Sequence, residues 1–118
     1  MIAHVVLFRP QPDLSPEDRR SLGEELTAAL HAIPSIRRAR VGRRVTLGRG
    51  YEQLMRADYP YLALLEFDDL AGLQAYLEHP AHAQLATQFF AAFEEALMYD
   101  YELQEGEAHI LRFATDEA

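Results

Sequence analysis

The chain has no cysteine and no lysine. The first absence removes disulfides, thiolate nucleophiles and cysteine metal sites, and it fits a reducing compartment. The second leaves arginine as the whole basic complement, eleven residues in all. Long apolar runs are missing too: none approaches the roughly 20 residues that cross a bilayer. The apolar start from Ile2 to Phe8 is too short for a secretory h-region, and no small-residue cleavage site follows. A cytoplasmic location without membrane partners is therefore expected. The net charge of −8 argues against nonspecific nucleic-acid binding.

The charge is unevenly spread. Six arginines lie between Arg37 and Arg49 with no acid among them, which leaves five arginines against nineteen acids elsewhere, a formal −14. Such a stretch can bind an anion or a nucleic-acid backbone. The simpler expectation is a solvated strand face that meets acidic helices.

At 118 residues the chain is expected to form one domain over residues 1–105. Residues 106–118 would be an extension, with a short strand at His109 to Phe113 and a frayed end from Thr115 to Ala118. Ile2 to Phe8 reads as a strand, with Ile2, His4, Val6 and Phe8 on one face and Ala3, Val5 and Leu7 on the other. Ser15-Pro16-Glu17-Asp18 opens a helix: a cap, a first-turn proline and two acids at the positive dipole end. Leu22, Leu26, Leu30 and Ile33 continue it at helical spacing until Pro34. A second strand is expected over Arg37 to Leu47, with a bulge or bend at Gly42. A loop follows, with a helical turn at Glu52 to Arg56. Tyr61 to Asp68 reads as a third strand. Asp68 or Asp69 then caps a short helix that runs through Glu78. A longer helix from Pro80 carries Leu85, Ala86, Phe89, Phe90 and Phe93, and Ala96 to Leu103 forms a fourth strand.

This order, βαβ–βαβ with the second helix split, predicts an α+β ferredoxin-like fold: a four-stranded antiparallel sheet with helices on one face. The other face is also apolar. Sheet-on-sheet packing in a homodimer, forming a dimeric α/β barrel, would cover it.

Tyr76-Leu77-Glu78-His79-Pro80-Ala81-His82 concentrates proton-carrying groups in a chain with five histidines. His82 precedes Leu85, Phe89 and Phe93 by three, seven and eleven residues, which puts it on the apolar stripe of its helix. His4 shares its strand face with Ile2, Val6 and Phe8. If that face meets the helices, both imidazoles approach one cavity. Apolar surroundings favour a neutral ring able to accept a proton, and Tyr76 can orient that ring or donate to a developing enolate oxygen. The same residues also admit a structural reading, with His82 lining a core and Tyr76 a packed aromatic. His79 precedes a proline, and its simplest role is to tie the two helices together. His31 and His109 have no supporting pattern.

The opening Ile2-Ala3-His4-Val5-Val6-Leu7-Phe8-Arg9, the His79-Pro80-Ala81-His82 element between two helices, and the closing Leu97-Met98-Tyr99-Asp100-Tyr101 together resemble the stress-responsive α/β-barrel (Dabb) family over roughly residues 1 to 103. Within it, the chain is most similar to plant polyketide cyclases. That resemblance implies a cofactor-independent intramolecular aldol condensation. His82 would be the general base, Tyr76 its partner, and His4 a substrate-binding group in the same cavity. A small aromatic or polyketide ligand would then be the partner. It equally admits a noncatalytic stress-response or ligand-binding dimer, and a cofactor-free monooxygenase like those of related barrels. The resemblance is poor in helix 1 and in Arg49 to Pro60, and the tail from Gly106 to Ala118 departs from the pattern.

No cofactor and no metal is expected. His79 and His82 are three apart, but Pro80 sits at a helix boundary between them and spacing indicates no third ligand. Nothing singles out His82 as a haem ligand. Ser15, Ser21 and Ser35 are explained as caps or as turn and helix residues rather than nucleophiles.

Overall fold

The computed structural model describes residues 1–115. Strand β1 (Ile2–Pro10) leads to helix α1 (Pro16–Ala32) and strand β2 (Arg38–Arg43). A 3-10 turn at Gly50–Leu54 precedes β3 (Tyr61–Phe67). Helices α2 (Leu70–Glu78) and α3 (Pro80–Ala92) follow, then β4 (Phe93–Glu102) and α4 (Glu107–Thr115). The strands form one antiparallel sheet in the order β2-β3-β1-β4. This is the α+β ferredoxin-like fold.

Local chemistry sets the helix starts. The Ser15 hydroxyl accepts the Asp18 N–H at 3.0 Å, ahead of Pro16 in the first turn. The Asp69 carboxylate accepts the Gly72 N–H at 2.9 Å. A Cβ at Gly72 would lie 3.3 Å from the Phe67 Cβ. Glycine there lets the start of α2 close over the largest fully buried side chain.

The register places Ile2, His4, Val6 and Phe8 opposite Phe67, Leu65, Ala63 and Tyr61. Strand alternation aims this set at the helices. The core divides in two. One cluster joins Ile2, Leu65 and Phe67 to Ala29, Ile33, Leu73, Tyr76 and Leu85. The other joins Val6, Phe8 and Ala63 to Phe93, with Leu22, Tyr61 and Phe89 packed against it. On the reverse face lie Val5, Leu7, Leu62, Leu64, Leu97, Tyr99 and Tyr101, the last two about half exposed.

Several expectations are corrected. Strand β2 stops at Arg43 because its pairing reaches the first residue of β3, Arg43 opposite Tyr61, and runs out of partner. Val45 and Leu47 are accordingly exposed. Gly42 pairs in register with Leu62, so no bulge forms there. Strand β4 begins three residues earlier than Ala96, at Phe93. The segment His109 to Phe113 lies inside a helix, not a strand. Glu107 in its first turn and Arg112 in its last complement the helix dipole, and adjacent Ile110 and Leu111 lack strand alternation. The end of the expected frayed tail, 116–118, lies outside the described residues.

The arginine-rich stretch pairs with acids, but not with acids on helices. Arg37 meets Asp68, Arg40 meets Glu66 and Arg44 meets Asp58. These partners sit on or beside β3, where exposed pairs add little stability. No helix among the described residues is long and apolar enough to cross a membrane.

Candidate functional site

A cavity of about 340 Å³ lies between the sheet and helices α1 and α3. Both core clusters contribute to its wall. Apart from His4, Arg19, Tyr61, Tyr76 and His82, the lining is made of aliphatic and aromatic side chains, proline and glycine.

Three residues from separate elements meet on this wall. His4 comes from the middle of β1 and is 6% exposed; Tyr76 comes from the last turn of α2 and is 5% exposed. His82 comes from the first turn of α3. The Tyr76 ring centroid stands 5.6 Å from that of His4 and 4.6 Å from that of His82, so the phenol ring packs against both imidazoles. Phe67 supports the tyrosine from behind at 5.3 Å.

Electrostatics assigns different states to these groups. Burial pushes the Tyr76 phenol up to about 12, with the nearby Asp100 carboxylate adding to the rise. The phenol therefore keeps its proton near neutral pH and is available as a hydrogen-bond donor. Burial also lowers the His82 pKa, the His4 charge lowers it further, and a hydrogen bond with the Leu77 backbone opposes both. His82 is thus held neutral and can accept a proton.

His4 has a partner that the sequence reading missed. Its Nδ1 lies 2.6 Å from Asp100 Oδ1. A carboxylate only accepts, so Nδ1 must carry the hydrogen. In the neutral ring Nε2 is then left as a bare acceptor. The signal was available: Leu97, Tyr99 and Tyr101 share the reverse face, so Asp100 alternates onto the helix side, directly opposite His4.

His79 does not join the group. It ends α2 and begins α3, and its Nδ1 accepts the Ala81 N–H at 3.0 Å. That nitrogen is occupied in capping, which matches the linking role read from the sequence. His31 is exposed near the end of α1. Among the described residues no three His, Cys, Asp or Glu side chains converge as a metal site.

The family model described as "Stress responsive A/B Barrel Domain" matches residues 2–103, and the chain belongs to this family. Helix α4 lies beyond the match. No curated protein matches the chain. Among solved structures, the chain is similar to a protein of Arabidopsis thaliana, with 21% identity over 91% of this chain and 99% of that one and a TM-score of 0.75. It is similar to the hydroxynitrile lyase of Passiflora edulis at 20% identity, over 90% of this chain and 95% of that one, with a TM-score of 0.74. A dimeric ferredoxin-like protein of unknown function from Thermobifida fusca aligns at 22% identity over 86% of this chain and 90% of that one, with a TM-score of 0.68. At these identities the likeness is one of fold.

Proposed function

We propose that this stress responsive A/B barrel protein is a homodimeric small-molecule-binding protein whose cavity performs cofactor-independent acid–base chemistry of the polyketide-cyclase kind. The observation that carries the reading is the contact of Tyr76 with both His4 and His82 on the wall of a mostly apolar cavity. At about 340 Å³ the space falls in the roughly 300–1,000 Å³ range of small-molecule sites. The resemblance of the sequence at His4, Tyr76 and His82 to plant olivetolic acid cyclase is what suggests this chemistry.

The step is an intramolecular aldol closure. His82 takes a proton from a methylene flanked by two carbonyls. The resulting enolate carbon attacks a second carbonyl carbon of the same chain, so a C–C bond forms and that carbonyl's π bond breaks. Tyr76 donates a hydrogen bond to the oxygen on which charge develops. The imidazolium of His82 returns the proton to that oxygen. His4, its ring fixed by Asp100, hydrogen-bonds a substrate hydroxyl through Nε2 and fixes the fold of the chain. Orientation supplies much of the acceleration, because both reacting carbons belong to one confined molecule.

The dimer reading rests on the reverse face of the sheet. Val5, Leu7, Leu62, Leu64, Leu97, Tyr99 and Tyr101 form an apolar stripe of the kind an isologous contact buries, and the Thermobifida fusca neighbour is itself dimeric. Sedimentation at micromolar concentration is expected to give twice the monomer mass; a stable monomer would remove this part.

The chemistry is tested with a linear poly-β-keto substrate, supplied both as the free acid and as its thioester. A cyclised aldol product, which becomes aromatic on losing water, is expected from the wild type and not from His82→Ala, with the dimer intact in both. Turnover retained in the variant removes His82 from the mechanism. A ligand recovered unchanged from the wild type would leave a noncatalytic binding module, and oxygen consumption with a quinol panel would point to a cofactor-free oxygenase.

A further inference from the structure

Arg19 and Gly23 stand one turn apart on helix α1, and both line the cavity at its exposed rim. Each is hard to explain by folding alone. Arg19 is the only permanently charged side chain on the cavity wall among the described residues. No acid occupies the helical neighbours at three or four residues' distance, which are Ser15, Pro16, Leu22 and Gly23. Nor does Arg19 form an ion pair with any described residue.

Glycine is a poor residue for a helix interior. Two reasons commonly demand it there, and neither holds for Gly23. It is not among the positive-φ glycines, Gly48 and Gly106. A Cβ built on it would meet nothing within 4 Å. What its missing side chain does is leave space beside Arg19. Phe90 of α3 also lines the cavity and is 63% exposed.

We propose that Arg19 and Gly23 form the entrance of the cavity and select an amphipathic monoanion. Its carboxylate stays at the α1 rim on the guanidinium, and its apolar body passes over the gap at Gly23 toward the buried His4, Tyr76 and His82. The lining residues include no acid and one fixed cation, Arg19, at the exposed rim, so a free acid is favoured over the neutral molecule of the same shape. The family resemblance is weakest in helix 1, so the entrance rests on these residues themselves. The inference rests on the proposed use of the cavity as a ligand site.

The test is calorimetric titration with octanoate and with 1-octanol, using the full chain at low salt. The wild type is expected to bind octanoate about threefold to tenfold more tightly, as befits a partly exposed, charge-assisted contact. Arg19→Gln is expected to bring octanoate down to the level of octanol and leave octanol unchanged. Gly23→Leu and Gly23→Met, both good helix formers, are expected to weaken both probes by about tenfold or more without lowering the melting temperature; two shapes guard against one misfolding. Equal binding of the two probes by the wild type, or no change in Arg19→Gln, overturns the selection and leaves the cavity as a ligand site. Unchanged binding in both Gly23 variants overturns the entrance. Failure of the wild type to bind either probe overturns the ligand-site reading and the inference with it.

Discussion

The two halves of the helix-facing core differ in what they leave empty. Around Ile33 and Phe67 the sheet and helices close completely; Phe67 is 0% exposed. Around His4 and Phe8 the same two layers stand apart and enclose the cavity. Strand β1 runs through both halves, with Ile2 in the closed part and His4 to Phe8 in the open one. Burial alone therefore does not mark function in this chain. His4 is as buried as its apolar neighbours, but it carries a polar partner and faces space, whereas Ile2 carries neither.

That contrast can be broken most forcefully at Phe67. Phe67→Ala removes a ring packed on all sides, and a loss of about 3–5 kcal/mol is expected, read from urea midpoints. Phe90→Ala, at the cavity rim, is expected to change stability by less than about 0.5 kcal/mol. Comparable losses would show that the cavity half is as tightly packed as the other.

The next effect is on turnover. His82→Ala is expected to slow cyclisation by about 10²–10⁴-fold, the usual contribution of a positioned general base, with the urea midpoint nearly unchanged. A collapse of the fold instead would assign His82 to the closed half.

Asp100→Asn should act more gently. It keeps an acceptor near His4 Nδ1 but loses the charge. Asp100 is well exposed to solvent, so the loss is held to about 1 kcal/mol, or roughly fivefold in turnover. His4→Gln in the same background should add less than it does in the wild type, because the two residues act through one hydrogen bond.

The smallest effect is on pH. The folded-state pKa of His82 lies below its ordinary value of 6.5. Between those two values the unfolded chain binds more protons than the folded one, so stability falls as pH drops below 6.5 and levels off beneath the folded pKa. His82→Gln should flatten that part of a stability–pH curve. Tyr76, with its phenol at about 12, should add no basic limb below pH 10.

Much of this arrangement is legible in the residues. Alternation in β1 aims His4 at the helices, and helical spacing aims His82 at the sheet, without any tertiary information. Ser15-Pro16 and Asp69 announce their helices through capping chemistry that is local. What stays hidden depends on partners distant in the chain. The length of β2 is set by where β3 begins, so Val45 and Leu47 look like strand residues but have nothing to pair with. The Asp100–His4 bond joins residues 96 positions apart, and it needs the β1–β4 register to become visible. The cavity itself is a packing defect between two core clusters, and side-chain type does not encode a gap. Helix α4 escapes because residues His109 to Phe113 are apolar enough for either structure, and only the dipole-matched ends decide.

The account turns on His82 being a neutral imidazole that shares one cavity with a hydrogen-bonded His4. A long-range ¹H–¹⁵N spectrum of the imidazoles, recorded across pH, observes both directly. His82 is expected to titrate below 6.5, and His4 is expected to show hydrogen on Nδ1. A His82 midpoint at or above 6.5, or a His4 ring with hydrogen on Nε2 alone, would contradict the account.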